Sequence, residues 1–153
     1  MEIRRLGKGD VEALRALNAV FGRCFEDMGT YVGKPPSLAY LEKLLSNPGF
    51  IALTATMDGM LCGGLVAYEL VKFEQERSEI YIYDLAVSPE SRRRGVATAL
   101  IENVSDIARQ TGAWVTFVQA DYQDAPAVTL YEKLGLREEV LHFDIPPQGK
   151  SSR

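Results

Sequence analysis

With 153 residues, 46% of them hydrophobic and 25% charged, the chain can bury one substantial core and is too apolar to be disordered by default. Its net charge of −4 argues against broad attraction to nucleic acid and agrees with a cationic small-molecule partner. Cys24, Cys62 and the single His142 are too few and too scattered for a zinc site or a disulfide framework, so no metal is expected and a reducing cytoplasm fits.

Residues 2–6 read as a short strand, Gly7 to Gly9 as a turn, and Asp10 as the N-cap of a helix whose Val11, Leu14, Leu17 and Phe21 make one apolar stripe. Gly29 to Pro36 breaks that pattern. A shorter helix follows Ser37, with Leu38, Leu41, Leu44 and Leu45 inward, and stops at Asn47-Pro48-Gly49. Phe50 to Met57 is β-like, Asp58-Gly59 is a hairpin turn, and Leu61 to Leu70 is the return strand. A polar turn, Phe73 to Ser78, leads into a strand over Glu79 to Val87 that Ser88-Pro89-Glu90 ends.

From Gly95 a long helix follows, with Val96, Ala97, Leu100, Ile101, Val104, Ile107 and Ala108 at helical spacing and Thr111-Gly112 as its close. Trp114 to Ala120 reads as a buried strand. Ala125 to Leu134 reads as a helix with Gly135 as C-cap, and Val140 to Ile145 as a last strand. The expected order is β-α-α-β-β-β-α-β-α-β, an α/β fold with a mixed central sheet and a parallel pair flanking the long helix. Residues 1–146 are expected to form a single domain and 147–153 a flexible tail. Met1 to Leu6 lacks a signal-peptide block, and no run approaches the roughly 18 apolar residues of a membrane span. A soluble cytoplasmic protein with no membrane partner is the expectation.

The most informative segment runs from Tyr83 to Leu100: a strand ends, a basic turn follows, and Gly95 opens the long amphipathic helix. Backbone N–H groups at a helix start point outward, and the helix dipole favours an anion there. Gly95 and Ala97 keep side chains small, so a pyrophosphate can approach, and Arg92, Arg93 and Arg94 add charge. Taken alone, R-x-x-G-x-A fits an ordinary basic turn equally well. It is neither a Walker P-loop, which ends in Gly-Lys-Ser/Thr, nor a Rossmann G-x-G-x-x-G turn.

In context, Leu85-Ala86-Val87 followed by Arg92-Arg93-Arg94-Gly95-Val96-Ala97 resembles motif A of the GNAT N-acetyltransferases. Asp124-Ala125-Pro126-Ala127 with Leu130-Tyr131-Glu132-Lys133-Leu134-Gly135 is similar to that family's second signature, and the element order agrees to about Ile145. The resemblance implies direct transfer of acetyl from acetyl-CoA to an amine, with no metal. It implies pantetheine on the backbone of Leu85, Ala86 and Val87. It places pyrophosphate on the amides of Arg92, Arg93, Arg94, Gly95, Val96, Ala97 and Thr98, and an oxyanion donor near Leu85.

Tyr131 occupies the position of the tyrosine that protonates the CoA sulfur in many members; the alternative is a residue that only packs its helix. Asp84 is the leading carboxylate for deprotonating the amine, against an alternative role as a structural group at a bulge. His142 is a minor candidate base, and Cys24 and Cys62 read as structural.

A closer resemblance, to the gentamicin-acting aminoglycoside 3-N-acetyltransferases of type I, rests on several segments. These are Lys72 to Gln75, Arg77 to Val87, Val118 to Tyr122, Arg137 to Val140, His142 to Ile145, and Phe21-Gly22-Arg23 with Glu26 or Asp27 nearby. It implies a cationic aminoglycoside acceptor acetylated at its 3-amino group, with antibiotic resistance as the consequence. A multiply charged acceptor calls for carboxylates, and Glu79, Asp84, Asp121, Asp124 and Asp144 are the candidate substrate contacts, with Glu26 and Asp27 in the wider pool. Each is otherwise a solvated surface acid. The alternatives are a GNAT enzyme for another amine, a polyamine or a protein N-terminus, or a CoA-binding module without turnover. The superfamily habit of pairing implies a homodimer.

Overall fold

The computed structural model describes residues 1–149 and separates into two compact units, Met1–Gln119 and the residues from Ala120 onward. In the first, the order is β1 (Glu2–Arg5), α1 (Val11–Cys24), α2 (Met28–Tyr31), α3 (Leu38–Ser46), β2 (Phe50–Met57), β3 (Met60–Val71), β4 (Ser78–Val87), a 3-10 turn (Pro89–Ser91), α4 (Val96–Thr111) and β5 (Ala113–Val118). The second contains α5 (Ala125–Leu134).

The five strands form one sheet in chain order, antiparallel from β1 to β4 and parallel between β4 and β5. Asp58 and Gly59 both take positive φ, 52° and 77°, the geometry of a two-residue hairpin turn matched to strand twist. The parallel β4–β5 pair needs a crossover, and α4 supplies it. Both faces of the sheet are covered. Ile51, Leu53, Ala55, Leu65, Ile80 and Ile82 pack with Val96, Leu100 and Val104 of α4. Phe50, Ala52, Val66 and Ala86 pack with Leu14, Leu17 and Phe21 of α1 and Leu41 and Leu45 of α3. Strand alternation sends successive β2 residues to opposite cores, so Phe50 to Ala55 are all buried.

Several local expectations are corrected, among them an inward Leu38, which is 51% exposed. Asp10 stands at the N-cap position of α1, but its carboxylate turns back to accept from Gly7 N at 2.7 Å and Arg4 Nη1 at 2.9 Å and makes no helix-capping bond. The break at Gly29 to Pro36 is partly helical, because Asp27 caps the short α2 by accepting from Thr30 N at 3.1 Å. β5 is an edge strand of the sheet and is not buried: Trp114 is 54% exposed, with the Arg77 guanidinium 4.2 Å above its ring.

In the second unit, Asp124 caps α5 by accepting from Ala127 N at 3.2 Å. Gly135 follows it in extended backbone, φ −153°, with no need of the glycine conformation expected of a C-cap there. The strand expected over Val140 to Ile145 does not form. Val140, Leu141, Phe143 and Ile145 stay 70–89% exposed, and a strand without a paired neighbour has no ladder to hold it. Residues 150–153, which hold most of the expected tail, lie outside the described part. No described helix is long and apolar enough to cross a membrane.

Candidate active site

The site in the first unit is built on an irregularity of β4. Val66 of β3 pairs with Asp84 and Ala67 with Ile82, so Tyr83 is an extra residue with no partner, a β-bulge. Ordinary alternation would send Tyr83 and Asp84 to opposite faces. The bulge puts both on the α1 side: Tyr83 meets Tyr68 and Tyr81, at 6.0 and 5.7 Å between ring centres, while Asp84 meets Tyr31 of α2. Leu85 and Val87 then return to the α4 core and Ala86 to the other.

The same strand leaves its partner here. Pairing with β5 ends at Ile82–Val118, whereas pairing with β3 runs on to Val87. The β5 side of the Tyr83–Val87 backbone is therefore open to another hydrogen-bonding chain. Leu85, Ala86 and Val87, the expected pantetheine segment, lie in that stretch.

Asp84 accepts from the Tyr31 hydroxyl, which lies 3.0 Å from each carboxylate oxygen. Burial raises the pKa of Asp84 above the ordinary aspartate range, and the Tyr31 hydrogen bond opposes that rise. Tyr31 is itself pushed well above the usual tyrosine value, chiefly by burial and then by the adjacent Asp84 charge, so it stays protonated and donating. The Tyr31 ring is braced by Phe21 and Phe25, at 5.9 and 5.7 Å between ring centres. Glu79, further back on β4, is engaged by Lys72 at 4.0 Å.

Past Val87 the chain turns through Pro89–Ser91 into α4. Arg92 Nε donates to Val87 O at 3.0 Å, which ties the turn to the strand end. Arg93 has φ 60° and Gly95 φ 79°, so the backbone curls just before the helix. A Cβ at Gly95 would meet nothing within 4 Å: the space in front of the turn is open. The first N–H groups of α4 have no acceptor within the helix and carry its positive dipole end. Open space, curled backbone and unused donors fit a diphosphate.

In the second unit, Tyr131 is half-buried on α5, and burial followed by the Asp124 charge raises its pKa. Asp124 already serves as the α5 cap, Asp121 is exposed, and Asp144 pairs with His142 at 3.0 Å. Among the described residues no group of His, Cys, Asp and Glu is arranged to hold a metal ion.

The tyrosines were missed from sequence. Tyr68, Tyr81 and Tyr83 carried a detectable signal, polar-edged aromatics on adjacent strands, whereas Tyr31 lies 53 residues from Asp84 in a segment read as a break.

Comparison with known proteins gives the family. Residues 14–136 match the model of the acetyltransferase (GNAT) family. An aminoglycoside acetyltransferase from an uncultured soil metagenomic sample is 55% identical, with a TM-score of 0.94 over 96% of this chain and 98% of that one. A second soil metagenomic aminoglycoside acetyltransferase, solved in complex with sisomicin, is 30% identical, with a TM-score of 0.87 over 96% of each chain. An uncharacterized N-acetyltransferase of Bacillus subtilis is 25% identical over 139 residues, 91% of both chains. The chain belongs to the acetyltransferase (GNAT) family.

Proposed function

We propose that this acetyltransferase modifies aminoglycosides, moving acetyl from acetyl-CoA to the 3-amino group of gentamicin-type drugs. The observation that carries the acceptor class is the likeness to the soil aminoglycoside acetyltransferase, which spans nearly the whole chain and not the phosphate turn alone. The acidic balance of the chain and the tyrosine-lined Asp84 support a cationic acceptor.

The open β5 side of Leu85, Ala86 and Val87 receives pantetheine, and the amides of Arg92 to Thr98 receive the diphosphate. Acetyl-CoA supplies an activated acyl carbon. The backbone N–H near Leu85 donates to the acyl oxygen as negative charge develops there. Asp84 takes a proton from the attacking amine as the N–C bond forms, and Tyr131 supplies a proton to the departing sulfur as the C–S bond breaks. Tyr131 enters on its place in the second sequence motif. Asp84 and Glu79 contribute negative charge for the acceptor from the first unit; Asp121, Asp124 and Asp144 are the candidates from the second, with one oxygen of Asp124 already committed to its cap.

NMR of the product formed from acetyl-CoA and gentamicin tests the position. Acetyl on the 3-amino nitrogen is the expected result. Acetyl on another amine, or turnover only with polyamines or peptide N-termini, would overturn the regiochemistry or the acceptor class respectively.

A further inference from the structure

We propose that Tyr31 is the positioning residue for the carboxylate that deprotonates the amine, its hydroxyl shared between the two oxygens of Asp84 and its ring braced where α2 packs against α1 at Gly22. This rests on the reading of Asp84 as the base. One O–H at 3.0 Å from both oxygens makes a shared hydrogen bond, which holds the carboxyl group at a set distance on the Tyr31 side. Nothing covalent or sequential ties the two residues together; α2 does so by its packing.

That packing is tight at one point. A Cβ at Gly22 of α1 would lie 2.7 Å from Met28 Sδ, 3.3 Å from Tyr31 Cβ and 3.4 Å from Met28 Cα. Glycine at this point lets α2 lie close against α1, with the flexible Met28 side chain as the nearest neighbour, and the Tyr31 hydroxyl reaches across to β4. Phe21 and Phe25, themselves stacked 5.7 Å apart, both pack against the ring, and Asp27 holds the start of α2. The bulge at Tyr83 completes the arrangement by turning Asp84 to the same side.

The titratable groups facing Asp84 are Tyr31 from α2, Tyr68 from β3, and Tyr81 and Tyr83 from its own strand, with Asp27 beyond Tyr31 and Tyr40 beyond Tyr68. Among these, the Tyr31 hydroxyl is the group that lowers the Asp84 pKa against the effect of burial. Its loss leaves the carboxyl less ionised at a given acid pH and without its anchor on α2.

The test compares wild type, Tyr31→Phe and Asp84→Asn in kcat/KM for gentamicin across pH, with acetyl-CoA affinity measured in parallel. Phenylalanine keeps the ring packed on Phe21 and Phe25, so folding and acetyl-CoA affinity are expected to hold. Tyr31→Phe is expected to lose about tenfold near neutrality, the scale of one hydrogen bond to a charged group, and to shift the acid limb to higher pH. The position of that limb does not depend on how much of the sample is folded. An unmoved limb in Tyr31→Phe, with Asp84→Asn inactive, overturns the role of Tyr31 and leaves the base assignment standing. Wild-type turnover by Asp84→Asn removes the base assignment itself, and this inference with it.

Discussion

Asp84 lies one residue past the unpaired Tyr83, and that extra residue selects the face on which its carboxylate appears. As the proposed catalytic base, Asp84 must be ionised to act, so activity falls as pH drops through its pKa. Burial raises that pKa, and the acid limb of wild-type kcat/KM is therefore expected above the ordinary aspartate value of about 3.9. Asp84→Asn should lose roughly 10²- to 10⁴-fold in turnover together with that limb, while binding acetyl-CoA normally. A residual limb in the variant would assign the titration elsewhere. Tyr131 lends itself to a separate comparison. Its raised pKa keeps it protonated through the working range, as a proton donor requires, and Tyr131→Phe is expected to cost roughly 10²-fold in turnover with acetyl-CoA still bound. Near-normal turnover would reduce Tyr131 to a packing residue. Asp84 could be singled out from sequence because it directly precedes Leu85-Ala86-Val87. Its partner could not, since a bond from Tyr31 to Asp84 exists only once α1, α2 and the bulge are in place.

Two glycines show how the elements divide the work of folding from that of binding. Gly64 lies where β3 passes under α1: an added Cβ would run into Leu17 Cδ1 and lie 2.5 Å from Leu53 O. Gly64→Ala is expected to destabilise the fold by about 1–3 kcal/mol, the cost of overpacking a filled core. Gly95 faces open space in a left-handed conformation, φ 79°. Gly95→Ala carries a backbone penalty of about 1–2 kcal/mol and also places a methyl where the diphosphate is read to sit. Acetyl-CoA affinity should fall in Gly95→Ala, whereas Gly64→Ala should chiefly lower the thermal midpoint; calorimetric titration and melting of both variants check the contrast. Periodicity made these elements legible: the α4 stripe and the Asp58-Gly59 hairpin appear where expected, because local spacing determines them. The strand expected over Val140 to Ile145 shows the limit of such patterns. Alternating apolar residues make a segment capable of pairing, and pairing also requires an available neighbour.

At the scale of the molecule, the sheet of the first unit packs helices on both faces and leaves an opening where β4 outruns β5 and the phosphate turn begins. The family follows from two sequence motifs in the right order. The division of the structure at Gln119 does not: residues 120–149 contain one helix with no buried residue, and no composition shift marks the boundary. On the proposed reading, acceptor choice draws on surface charge and on residues spread widely along the chain, Glu79 and Asp84 among them. The most direct test of the account is thiol release from acetyl-CoA by the purified protein, with and without an aminoglycoside. Release that depends on the aminoglycoside and is abolished in Asp84→Asn is the predicted result. Demonstrated acetyl-CoA binding with no release in the presence of any aminoglycoside would contradict it.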